Sequence, residues 1–128
     1  MTNVLLIGLG SALGGMARYG VSYGLALRFG HGFPVGTLVA NVTGSLLIGF
    51  IFATTAGDGR WPLGQGGKFF FMTGMMGGYT TFSTFSLETV NLMKAGNTGL
   101  AAGYAVGSMI LCVLAAWGGL ALGNLLNR

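Results

Sequence analysis

Charge is what this sequence lacks most. Two acidic and six basic residues among 128 make a charged fraction of 6%, where soluble domains carry roughly 25%. So few charges cannot cover a water-exposed surface. The six cations are scattered singly, so the formal charge of +4 and the pI near 9.7 build no basic patch that could track a phosphate backbone, and nucleic acid is excluded as a partner. Cys112 is the only cysteine, which rules out an intramolecular disulfide and a multi-thiolate metal centre; the one histidine has no carboxylate beside it. No nucleophile and base stand at usable spacing for an enzyme, and no glycine loop runs into Lys and Ser or Thr to cradle a phosphate. A basic n-region is missing before the first apolar run, which is therefore expected to be a span rather than a cleaved signal.

What is present is apolar and small. Hydrophobic residues make up 52% of the chain, mean hydropathy is +0.74, and there are 26 glycines, well above the usual share of roughly 7%. Because about 20 apolar residues cross a bilayer, the sequence predicts one all-α membrane domain over 1–128 with four transmembrane helices at about 4–27, 35–56, 68–94 and 99–126. Small residues recur four apart at Gly10 and Gly14, Gly20 and Gly24, Ser45 and Gly49, Gly99, Gly103 and Gly107, and Ala115, Gly119 and Gly123, which reads as helix contact faces. Even span number puts Arg60, Lys68 and Arg128 on one side and Arg28 and Lys94 on the other. Orientation follows the Lys/Arg imbalance. So near a tie predicts insertion in both orientations and an antiparallel homodimer of dual topology.

Polarity within the spans is organised. Thr37, Asn41 and Ser45 share one helix face, as do Tyr104, Ser108 and Cys112. Hydroxyls and amides in hydrocarbon are costly unless partners or water satisfy them, and two such stripes suggest a hydrophilic path. Arg18 brings a positive charge into the first span and Glu88 the only carboxylate of the spans, as vestibule or structural charges. Donors outnumber acids along this path, which favours an anion as the permeant species. In "GMMGGYTTFSTFSLET", Gly77 and Gly78 ahead of Thr80 and Thr81 predict a broken third helix. Carbonyls released by such a break are ligands for a small hard cation resembling Na⁺. Phe82 and Phe85 follow on nearly one face, with Ser83 and Thr84 between them, and their positive ring edges could replace part of an anion's water shell.

"GTLVANVTGSLLIG", "GGYTTFSTFSLET", "GGMARYG" and "YAVGS" together resemble the Fluc/CrcB family of fluoride channels over nearly the whole chain. The resemblance implies an antiparallel homodimer in the cell membrane with two fluoride pores and a central Na⁺ on the two-fold axis. It implies that Phe82 and Phe85 are the paired pore aromatics, that Asn41 is a pore donor, and that Thr37, Ser83 and Thr84 are nearby polar contacts. It further implies that Tyr104 and Ser108 belong to a polar track, where Cys112 stands in a place a hydroxyl would serve better, and that backbone carbonyls of Gly77 and Thr80 hold the Na⁺. The implied task is passive export of cytoplasmic fluoride, lowering its toxicity. The alternatives are a small dual-topology, proton-coupled multidrug exporter and a non-transporting membrane assembly subunit.

Overall fold

A backbone surrounded by hydrocarbon must satisfy its own polar groups, and helices do so within one segment. The computed structural model describes residues 1–128, all of them in helices and their connections: α1 Thr2–Phe29, α2 Val35–Thr54, α3 Gln65–Lys68, a π-helical segment Phe69–Met76, α4 Gly77–Tyr79, α5 Phe82–Lys94 and α6 Thr98–Leu126. Helices α1, α2 and α6 are long and apolar enough to cross a membrane. The chain is inside-out by the standards of a soluble domain: 18 of 128 residues are buried, while Leu5, Leu9, Phe52, Val113 and Trp117 stand exposed. That apolar exterior suits lipid.

Two helix pairings carry the packing. In the first, α1 lies against the π segment and α4; a Cβ on Gly10 or Gly14 would strike the backbone carbonyls of Phe70 or Met75, and Gly78 sits on the Ser11 backbone. In the second, α2 runs along α6, where Gly49 faces the Ala116 carbonyl and Gly119 faces that of Leu46. Without side chains at these points the backbones approach closely and gain dispersion contacts that lipid cannot replace. The same expectation fails for Gly20, Gly24, Gly99, Gly103 and Gly107: no atom lies within 4 Å of where their Cβ would be. Spacing marks a smooth helix face, but whether a neighbour lies on it is a tertiary matter.

The third stretch is interrupted, and not at the glycines. Gly77 and Gly78 are helical; the extended residues are Thr80 (φ −85°, ψ 158°) and Thr81 (φ −152°, ψ 115°). Upstream, Phe69–Met76 is wound as a π-helix, which glycine content alone does not signal. Gly30 and Gly96 take positive φ values of 77° and 82°, open to residues without a Cβ, and end α1 and α5 by donating to Ala26 and Met93 carbonyls. The loop after α2 is fastened to the chain's end: the Arg60 guanidinium donates to the Leu126 carbonyl at 3.1 Å, and the Asn127 amide donates to that of Ala53 at 2.9 Å. Cationic and amide donors thus meet helix C-terminal carbonyls left without helical partners.

Gly119→Val should drive α2 and α6 apart and cost about 1–3 kcal/mol through overpacking, read as a lower unfolding midpoint in detergent. Gly8→Ala, which meets nothing within 4 Å, should leave that midpoint unchanged or raise it slightly.

Candidate functional site

The break is held by one side chain. Asn41 on α2 accepts the Thr81 backbone N–H on its Oδ1 at 2.7 Å and donates its Nδ2 to the Thr81 carbonyl at 3.1 Å. The primary amide thereby substitutes for a strand partner, giving an extended residue both of the backbone bonds a helix no longer provides. An asparagine amide has two N–H donors, so one remains on a residue that also lines a cavity of about 380 Å³. Thr81 then restarts the helix as N-cap of α5, its Oγ1 accepting the Thr84 N–H at 3.3 Å.

These diversions fix which carbonyls are released. In a continuous helix the Thr81 N–H would serve the Gly77 carbonyl and the Thr84 N–H that of Thr80. Here those donors go to Asn41 and to the Thr81 hydroxyl. Gly77 is exposed and Thr80 half-buried, and both line the same cavity. Two backbone oxygens without helical donors are the hard, neutral ligands that suit an alkali cation. The approach of the break to α2 depends on Gly44, where a Cβ would collide with the Thr80 side chain.

The cavity is also lined by Phe82, Phe85 and Ser108. The two rings lie 5.4 Å apart, tilted by 49°, yet their environments differ: Phe82 is 75% exposed and Phe85 only 8%. Phe85 continues into Tyr104 at 5.2 Å, and Tyr104 meets Phe33 edge-on at 5.4 Å. Ser108 is 5% exposed and its Oγ has no hydrogen-bond partner, a condition costing about 1–3 kcal/mol unless something else satisfies it. Cys112, one turn further along α6, reaches the same cavity.

A second cavity, of about 580 Å³, opens beside the α1–α2 connection and is lined by Thr37, Thr84 and Glu88. Glu88 is received by Thr37, whose Oγ1 donates at 2.7 Å, and by Tyr104, whose OH donates at 2.8 Å. Its carboxylate partners are therefore hydroxyls rather than Arg18, which is half-buried on α1 and lines neither cavity. Thr37 and Asn41 are one turn apart on α2, so the two cavities adjoin along the α2–α5 seam. Ser83 is exposed on the first turn of α5, its Oγ 3.4 Å from that of Thr81.

Sequence reasoning named Thr81 at the break but missed its role as the residue whose backbone and hydroxyl organise it; a threonine opening "TFST" is an N-cap signal that could have shown it. It also missed the Thr43 to Tyr79 hydroxyl pair at 2.9 Å, for which no local pattern exists, and the vestibule tyrosines Tyr19 and Tyr23, stacked at 5.9 Å.

Comparison with known proteins adds a family. Residues 5–120 match the model described as CrcB-like protein, Camphor Resistance (CrcB). A protein of Opitutus terrae named "Fluoride-specific ion channel FluC" is 50% identical over 117 residues, spanning 91% of this chain and 89% of that one. Proteins of the same name from Methylocella silvestris and Coxiella burnetii are 44% and 48% identical over 124 residues, covering 97% and 95% of this chain and 95% and 98% of theirs.

Replacing the Asn41 amide by an isosteric hydrocarbon, Asn41→Leu, should leave the Thr81 N–H unpaired. Its hydrogen exchange should rise about tenfold or more, as loss of a buried hydrogen bond predicts, while exchange in the middle of α6 stays as it was.

Proposed function

This chain belongs to the CrcB family, and from that premise we propose that two oppositely inserted copies form a passive channel through which fluoride leaves the cell. It is a multi-pass cell-membrane protein and an ion channel, not an enzyme. The observation that carries the reading is the convergence on one cavity of a spare amide donor at Asn41, an unpartnered hydroxyl at Ser108 and two phenyl rings. Fluoride gives up strongly bound water to enter a narrow path. Weak donors and positive ring edges can stand in for that water without holding the ion as a full charge would.

A route along the α2–α5 seam follows. The ion would enter the vestibule beside Thr37 and Thr84, pass Asn41 and the Phe82 and Phe85 pair, and continue by Ser108, while Ser83 and Tyr104 flank this route without lining either cavity. The Glu88 carboxylate takes donors from Thr37 and Tyr104, which spreads its charge over two hydroxyls. Arg18 stays outside this route as a structural charge. No coupling is needed: hydrogen fluoride crosses membranes uncharged and dissociates inside, and one elementary charge moving across 100 mV is worth about 2.3 kcal/mol.

The dimer is supported by what one chain leaves open. Phe82 is 75% exposed, and Gly20 and Gly24 of α1 and Gly99, Gly103 and Gly107 of α6 meet no neighbour within one chain. Near-balanced flanking charge lets copies insert both ways. The carbonyls of Gly77 and Thr80 would hold a Na⁺ shared between the two copies. Bound there, the ion would supply the positive charge that offsets released carbonyls in low dielectric.

Liposomes containing the purified protein should release fluoride to an electrode and retain chloride. Asn41→Asp, which places negative charge in the path, should slow release at least about tenfold, since roughly 1.4 kcal/mol of barrier suffices for that; unchanged flux would remove Asn41 from the route. Phe82→Ile keeps bulk without a ring edge and should also slow it. C-terminal reporters should be detected on both sides of the membrane, and detection on one side alone would overturn the antiparallel assembly.

A further inference from the structure

Sulfur is concentrated on the cavity that also holds the unpaired hydroxyl. On α6, Met109 and Cys112 are three residues apart; in the π segment, Met72 and Met76 are four apart; all four line the same space of about 380 Å³. Nowhere in the chain do three His, Cys, Asp or Glu side chains stand together, so a divalent ion wanting hard or imidazole ligands finds no set. Thiolate and thioether ligands instead select soft monovalent cations. Methionine has three rotatable bonds and adapts to what it surrounds. Met109 is 63% exposed at the rim of the cavity, whereas Met76 is buried in its wall. Ser108, one turn from Cys112, is 5% exposed with a hydroxyl lacking any partner, so this wall of the cavity is left unsatisfied within one chain.

We propose that Cys112, Met109 and Met76, with Met72 beside them, form a site for a soft monovalent cation, Cu⁺ or Ag⁺, and that an ion bound there closes the cavity to permeation. Binding exchanges one proton: the thiol S–H bond breaks, the sulfur–metal bond forms, the proton passes to water, and no oxidation state changes. Closure rests on the channel reading above; binding does not.

Silver tests both parts. Full-length protein in detergent, in chloride-free nitrate buffer, should take up one Ag⁺ per chain by calorimetry. Affinity should fall about tenfold or more both in Cys112→Ser and in Met109→Leu, the scale of losing one partner of a metal site. Undiminished binding in Cys112→Ser overturns the site, and undiminished binding in Met109→Leu reduces it to a simple thiol adduct, which also overturns it. In liposomes, Ag⁺ should slow fluoride release through the unsubstituted protein and not through Cys112→Ser, each compared with its own silver-free rate. Release continuing at the silver-free rate with the ion bound overturns closure. Release absent even without silver tells against the channel reading, and calorimetry then decides the site by itself.

Discussion

The two hydrogen bonds between the Asn41 amide and the Thr81 backbone are the constraint on which the interior depends. An extended residue in the middle of an apolar helix leaves polar backbone groups without partners, at several kcal/mol each in hydrocarbon. Asn41 removes that cost at Thr81 and, by taking the Thr81 N–H, withholds it from Gly77. The Thr81 hydroxyl does the same to Thr80 by capping Thr84. Asn41 and the Thr81 hydroxyl therefore together stabilise the interruption and determine which carbonyls it frees. The Thr81 cap also starts α5 at Phe82, which sets both phenylalanines on the cavity.

Close backbone packing provides the rigidity this arrangement requires. Contacts through Gly10, Gly14 and Gly78 hold α1 to the π segment and α4, and contacts through Gly49 and Gly119 hold α2 to α6. Asn41 and Ser108 thus lie on helices fixed to one another, so the width of the cavity between them is set by backbone rather than by mobile side chains. Phe82, 75% exposed, leaves the rim of that cavity open in one chain.

Electrostatics within the chain are local. Glu88 is received by two hydroxyls across the α2–α5–α6 junction, and hydrogen bonds to an ionised group are worth more than neutral ones, about 1.5–3 kcal/mol. Arg18 takes no part in this network and lies on α1 outside both cavity linings.

Composition alone decided the solvent, and helical spacing alone picked out two polar stripes. Low charge and long apolar runs demand helices in lipid, and the stripes Thr37–Asn41–Ser45 and Tyr104–Ser108–Cys112 follow from helical period, which is a local property. Lists of residues, however, carry no neighbours. Gly77 and Gly78 appeared to be the break because glycine weakens helices, yet both stay helical, with Gly78 packed on the Ser11 backbone of α1, and the chain opens at Thr80 and Thr81 because that is where Asn41 can reach. Which glycine faces are filled, where the π segment falls, and that Glu88 meets Tyr104 were decided only by tertiary structure, since each depends on a contact between residues far apart in the chain.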